Sequence, residues 1–336
     1  MLAAGAQFLV CATVIIVAGT FLARYADAIA ELTKLGRLVI GSVLLAGATS
    51  LPELTVDISA IRMDMPDLAV GDLLGSSLMN LLILAGLDLS HHSRGKMLSK
   101  QAAAHALSGS LAATLTAVAG LGLLTGKALA EYAIFSVSPF SIVIALAYAL
   151  GVRLIYLDQR IAAQERREVA PEETVVPPGM TLKKALIGFA ACAAAILVAG
   201  PFMASAAGTL ADESGLGKTF VGTTLVALST SLPELVSSIA ALRLGALDLA
   251  IGNVFGSNAF NMILLVPLDF LHNEPLFADV SQQHAMTCMA TILATLVVIM
   301  GQLYRVESRV RFIEPDAWLV IAIVTGALAL LYYLPK

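Results

Sequence analysis

The sequence predicts an all-α polytopic membrane protein of ten transmembrane helices, arranged as two inverted five-helix repeats. Three observations carry that prediction. Of the 336 residues, 58% are hydrophobic and only 13% are charged, whereas a soluble domain carries about 25% charge. Apolar runs recur at the roughly 20-residue length that crosses a bilayer, and the mean hydropathy is +0.88. One stretch also occurs twice. GSVLLAGATSLPELTVDISAIRMDMPDLAVGDLLGSSLMNLLIL (41–84) and GTTLVALSTSLPELVSSIAALRLGALDLAIGNVFGSNAFNMILL (222–265) superpose without a gap at a constant offset of 181, with close to half the positions identical.

Ten spans fall near 5–24, 38–61, 67–87, 102–124, 129–152, 184–207, 219–242, 247–270, 284–303 and 316–334. The first run lacks the basic segment that opens a signal peptide, so it is read as a retained helix. The longest polar gap, 153–183, carries Asp158, Arg160, Glu165, Arg166, Arg167, Glu168, Glu172, Glu173 and the pair Pro177-Pro178. It is read as a linker between a first half, 1–152, and a second half, 184–336, being too short and too polar for a folded domain. Five spans per half is an odd number. The second half therefore enters the membrane from the opposite side, and the repeats are inverted.

Charge sets the expected orientation. The loops after spans 1, 3, 5, 7 and 9 hold sixteen Lys and Arg residues, while the other side has only Arg62, Lys127, Lys218 and Lys336. The positive-inside rule then makes the linker cytoplasmic and puts both termini outside. A prokaryotic inner (plasma) membrane is the expected location, with the lipid bilayer as the protein's surroundings. Cys11, Cys192 and Cys288 each stand alone in an apolar run and are read as packing residues.

Each repeat places a glutamate inside a membrane-spanning run, where an ionisable group is costly and marks an ion or substrate site by default. Ala46, Thr49, Ser50 and Glu53 share one helix face at spacings of three and four, as do Ala227, Thr230, Ser231 and Glu234. Pro52 and Pro233 precede the glutamates. A proline there takes the helical partner from Ala48 and Ser229 and bends or breaks the helix, a defect tolerated in lipid only if something re-satisfies it. The second part of each repeat supplies an opposite wall, with Asp72, Ser76 and Asn80 on one stripe and Asn253, Ser257 and Asn261 on the other. Gly71, Gly75, Gly252 and Gly256 allow close helix approach. The donors are carboxylate, amide, hydroxyl and carbonyl oxygens. That set suits hard cations such as Ca²⁺ and Na⁺ and disfavours Zn²⁺ or Cu⁺. Two glutamates neutralise one divalent ion.

GATSLPEL and ALSTSLPEL, followed by GDLLGSSLMN and GNVFGSNAFN, resemble the paired alpha-repeats of the cation/Ca²⁺ exchanger superfamily, closest to its sodium/calcium exchangers. The resemblance covers nearly the whole chain. It implies inverted five-helix halves, four midplane ion sites in a diamond, alternating access by sliding of helices 1 and 6, and Ca²⁺ and Na⁺ as transported ions with no cofactor. It implies ligands at Glu53, Glu234, Thr49, Ser50, Ser76, Thr230, Ser231 and Ser257, with the carbonyls of Ala46 and Ala227. Asn80, Asn261 and Asp72 join this candidate set from their stripes.

The chain departs from the family pattern in several places. Asn261 stands where archaeal sodium/calcium exchangers often carry Asp. Ser77 replaces the Asn of the first GSN, and Asp72 the Asn of the first GN; Asp57 and Asp72 are unmatched by their mates Ser238 and Asn253. Asp57 is read either as a cytoplasm-facing polar residue or as part of an exit path. The TSLPE motif favours Na⁺ coupling, and a Ca²⁺/H⁺ antiporter is the alternative. A channel would need a selectivity-filter loop, and an intramembrane enzyme a nucleophile–base pair or metal dyad; the sequence offers neither. No nucleic-acid partner and no obligatory protein partner are implied. Asp67 and Asp248 are read as helix-start caps. His91 and His92 are read as solvated, and His105, His272 and His284 as ordinary polar residues at span ends.

Overall fold

The computed structural model of the protein describes residues 2–90, 102–169, 179–213, 230–303 and 315–333. Among these residues the chain is helical, and its only β-type pairing is the isolated bridge Ile134–Val137. Among the described residues seven helices, plus one bent pair, are long and apolar enough to cross a membrane.

The first is α1, Leu2–Thr33. The second predicted span is two pieces, α2 (Arg37–Thr49) and α3 (Leu51–Arg62), bent by 44°. The break follows from the sequence. Pro52 sits at the start of α3, and Ser50, at φ −89° and ψ 7°, occupies the bridge region between helix and turn. A π-helical turn over Ile40–Leu45 loosens α2 further. Next come α4 (Pro66–Ser90), α5 (Ala102–Leu129) and α6 (Pro139–Val169). The second half holds α7 (Leu182–Glu213), α8 (Leu232–Arg243), α9 (Leu247–Leu271), the short α10 (Leu276–Asp279), α11 (His284–Leu303) and α12 (Pro315–Tyr333). Ser231, before α8, has φ −82° and ψ 1°, the same local conformation as Ser50 before α3. The rest of the seventh predicted span, with Ala227, lies outside the described residues, as do His91 and His92.

The fifth span is shifted relative to the sequence expectation of 129–152. It begins at Pro139, after a turn in which Phe135 and Ser136 take positive φ, and it continues as helix to Val169. The start is explained by proline's fitness for the first helical turn. The extension into the segment read as linker is explained by its run of Leu, Arg, Gln, Glu and Ala, all good helix formers, with no proline before Pro171.

Burial sorts the helices into centre and rim. In its most apolar window α9 is 83% buried, whereas α6 is 17% buried and α1 is 28%. α9 sits at the centre of the bundle, with apolar residues on most of its surface and one buried polar stripe of Asn253, Ser257 and Asn261. The two halves meet there at backbone distance: a Cβ added to Gly256 would lie 2.4 Å from the Ser42 Cα, and one at Gly252 2.9 Å from the Leu38 carbonyl oxygen. Glycine is what permits α2 to lie on α9.

Outside this core α1 and α7 pack along each other and pass over the two proline motifs. A Cβ at Gly200 of α7 would sit 2.4 Å from the Pro52 Cβ, and one at Gly19 of α1 would sit 3.1 Å from the Val236 Cγ1. Gly19 and Gly200 are themselves related by the 181-residue offset, as are Cys11 and Cys192. The internal likeness therefore extends to the first span of each half, beyond the stretch singled out from sequence.

Candidate ion-binding site

The two backbone breaks bring the two glutamates into one buried region. Glu53 and Glu234 lie in the first turns of α3 and α8, each 1% exposed. Both carboxylates thus face the positive ends of helices that begin at the break. Side chains cross between the repeats. The Ser50 hydroxyl donates to Glu234 Oε1 at 3.2 Å, and the Ser76 and Thr230 hydroxyls lie 3.5 Å apart. Ser50 of the first repeat therefore serves the acid of the second.

Six buried oxygens from both repeats have no hydrogen-bond partner: Glu53 Oε2, Glu234 Oε2, Asn80 Oδ1, Asn261 Oδ1, Ser231 Oγ and Ser257 Oγ. Buried polar atoms are otherwise almost always paired, so an all-oxygen orphan set calls for a cation. The amide orientations explain part of it. Asn80 Nδ2 donates to Asn258 Oδ1 at 3.0 Å, and Asn258 Nδ2 donates to the Ser77 carbonyl at 3.2 Å. Asn261 Nδ2 donates to the Leu73 carbonyl and to Ser77 Oγ, both at 3.3 Å. With their nitrogens committed, Asn80 and Asn261 present only oxygen.

Ser77 and Asn258 are the residues that sequence reasoning missed here. Their signal was present, because they occupy matching positions in the two repeats, but Ser77 read as a departure rather than as a partner. Asn253 is a second organiser. It donates to Ser237 Oγ at 3.0 Å, Ser238 Oγ at 2.9 Å and the Glu234 carbonyl at 3.4 Å, and its Oδ1 accepts from Thr49 at 3.5 Å.

The remaining expected residues fall less simply. The Ala46 carbonyl accepts the Ser50 N–H at 3.0 Å and the Thr49 hydroxyl at 3.1 Å, so it joins an ion's shell only when Thr49 turns away. Its mate Ala227 lies outside the described residues. Asp72 is 7% exposed, and its carboxyl neighbours that of Asp57. Asp57 is fully buried, so it does not face the cytoplasm. Asp67 and Asp248 do stand at helix starts, but their carboxylates reach across to the other half. Asp67 accepts the Ser281 N–H at 2.8 Å and lies 3.0 Å from His284 Nε2; Asp248 lies 2.8 Å from His105 Nε2. Both histidines are thus ties between halves. His272 pairs with Asp279 at 2.9 Å. Among the described residues no group of three or more His, Cys, Asp and Glu side chains forms a metal cluster.

A helical membrane protein with a helix broken ahead of Glu53, the same turn conformation ahead of Glu234 and an oxygen-lined centre fits the class of membrane-embedded cation exchangers. The chain belongs to the sodium/calcium exchanger protein family, whose model matches residues 4–98 and 184–335. It is 29% identical to the inner membrane protein YrbG of Escherichia coli over 240 residues, 70% of this chain and 69% of that one. It is 34% identical to the sodium/calcium exchanger MaX1 of Methanosarcina acetivorans over 131 residues, 38% of this chain and 37% of that one. A solved structure of the sodium-calcium exchanger NCX_Mj, soaked with Na⁺ and Sr²⁺, covers 99% of both chains with a TM-score of 0.69 at 18% identity. The fold is therefore that of a cation exchanger, a transporter and not an enzyme.

Proposed function

We propose that the protein is a secondary active antiporter exchanging Ca²⁺ for Na⁺ by alternating access. Ten spans form two inverted halves, with both termini outside and the linker in the cytoplasm of a prokaryotic inner membrane. One Ca²⁺ or several Na⁺ compete for overlapping positions among Glu53, Glu234, Thr49, Ser50, Ser76, Asn80, Thr230, Ser231, Ser257 and Asn261, with the carbonyls of Ala46 and Ala227 completing the set. The observation that carries this reading is the group of six unpartnered buried oxygens, drawn from both repeats and unaccompanied by a free nitrogen donor. Two carboxylates balance one Ca²⁺, and the neutral oxygens replace its hydration. The likeness to MaX1, a sodium/calcium exchanger, supports Na⁺ as the coupling ion.

The second reading, Ca²⁺/H⁺ antiport, is favoured by one observation: the contact between the Asp57 and Asp72 carboxyls, which needs a proton or another cation between them. Calcium flux into proteoliposomes, with a Na⁺ gradient and a pH gradient imposed separately, tests both. Uptake driven by Na⁺ alone is expected. Uptake driven by the pH gradient and indifferent to Na⁺ replaces the first reading by the second.

A further inference from the structure

The contact between Asp57 and Asp72 has its own control in the other half of the molecule. By the repeat offset Asp57 corresponds to Ser238, Asp72 to Asn253, and Val56 to Ser237. In the second half Asn253 donates to the Ser237 and Ser238 hydroxyls at 3.0 and 2.9 Å, a neutral contact in which the amide is satisfied. In the first half the same helix–helix contact is made by two carboxyls, and the second hydroxyl is replaced by a valine.

The result is a buried pocket of acceptors without donors. Asp57 is 0% exposed and Asp72 7%. Neither oxygen of Asp57 has a hydrogen-bond donor, nor does Asp72 Oδ2. Among the described residues the ion pairs involve other acids: Arg37 with Asp27 and Glu31, and the three histidines with Asp248, Asp279 and Asp67. The charged groups that do face the pair are Glu53 and, farther off, Glu234, which are of the same sign. A buried acid pair with only acids around it draws its positive charge from outside the protein. Carboxylate oxygens are hard donors, so a metal ion held there is a hard cation of the Na⁺ or Ca²⁺ type.

The location is also informative. Asp57 lies one turn beyond Glu53, about 6 Å along α3, on the side of the 63–65 turn that joins α3 to α4. In the proposed orientation that turn is on the outer face. We propose that Asp57 and Asp72 form a second hard-cation site, one turn outward of the Glu53–Glu234 centre, where an ion pauses on the outer approach. The role on an approach path rests on the exchange reading above; the binding itself does not.

Equilibrium dialysis of the purified full chain against radioactive Ca²⁺, and separately against radioactive Na⁺, tests the site. The key variant, D57S/D72N, gives the first half the residues that the second half already packs in the same place; D57N/D72N is an isosteric alternative with the same expected outcome. One bound cation per chain should remain in E53Q/E234Q and disappear when D57S/D72N is added. D57S/D72N alone should lower the number of bound ions by one, and the arm in which the loss occurs identifies the ion. If E53Q/E234Q binds neither ion, or if both variants of the acid pair leave the count unchanged, the pair holds only a proton and the proposal is overturned. Undiminished Ca²⁺ exchange by E53Q/E234Q would instead overturn the function assigned to the centre and leave this count standing.

Discussion

Glu234→Gln is the most direct perturbation of the proposed centre. The substitution keeps the shape of the side chain and removes one of two buried carboxylates. Glu234 Oε1 accepts from Ser50 at 3.2 Å, and Oε2 has no partner. In the variant the amide oxygen still satisfies Ser50, so the NH₂ group falls where the free oxygen was and points a donor at the cation. Two effects then add: the charge on a Ca²⁺ is only half compensated, and one acceptor becomes a donor. Removing one member of a buried charge arrangement costs about 3–5 kcal/mol. At 1.4 kcal/mol per factor of ten, that is an affinity loss between about a hundredfold and a few thousandfold. Calcium binding to the purified variant, measured beside Na⁺-driven uptake in proteoliposomes, reads both quantities. Loss of both with normal membrane insertion is expected, and Glu53→Gln should behave alike because Glu53 Oε2 is also unpartnered. A calcium affinity within about threefold of the parent, well short of the loss expected for a broken buried charge pair, would refute the assignment of the centre to these acids.

Gly200→Val should abolish exchange while sparing expression, since even its Cβ would lie 2.4 Å from Pro52 and α7 must shift away from α3; transport at the parental rate would show that this contact is not kept during the cycle. Asn258→Leu leaves the buried Asn80 amide without its acceptor, which should cost about 1–3 kcal/mol and weaken Ca²⁺ binding about tenfold or more; thermal unfolding and dialysis check the two effects, and an unchanged affinity would show that Asn80 needs no orienting partner. A cysteine placed at Glu172 in a cysteine-free chain should be shielded from an impermeant thiol reagent in whole cells and labelled in inverted vesicles. Labelling from outside would reverse the proposed orientation.

The parts of the fold that depend on local chemistry were legible in the sequence. Pro52 and Pro233 announced a break, and Ser50 and Ser231 are where it occurs, because a missing N–H and a steric clash act within one turn. The glutamates announced burial for the same reason, since no lipid-facing position would keep them. What was not legible depends on which helix faces which. Asp67 and Asp248 looked like caps for their own helices, and only the crossing of the halves brings His284 and His105 to them. Asp57 was read as a cytoplasm-facing residue or as part of an exit path, yet it is buried beside Asp72 of α4. The α6 helix ran past its expected end because helix propensity does not stop where hydrophobicity does. Ser77 was read as a lost asparagine, whereas in space it accepts from Asn261 and its carbonyl accepts from Asn258.

These particulars narrow where an asymmetry between the two membrane faces could arise. The two breaks have nearly the same dihedral angles, the two glutamates the same burial, and the two asparagines the same outward oxygen. Under the proposed inverted arrangement, a scaffold with that degree of internal likeness would treat an ion arriving from either side alike, so a preference would come from side chains that differ between mates. At the contact between the two helices of each repeat the differences are few: Asp57 against Ser238, Asp72 against Asn253, and Val56 against Ser237. All three change the same contact: two put acids in place of satisfied neutral partners, and the third removes a hydroxyl. Evening out that contact, by making the first half like the second, is therefore the substitution that should change how the faces differ while leaving the shared backbone break untouched.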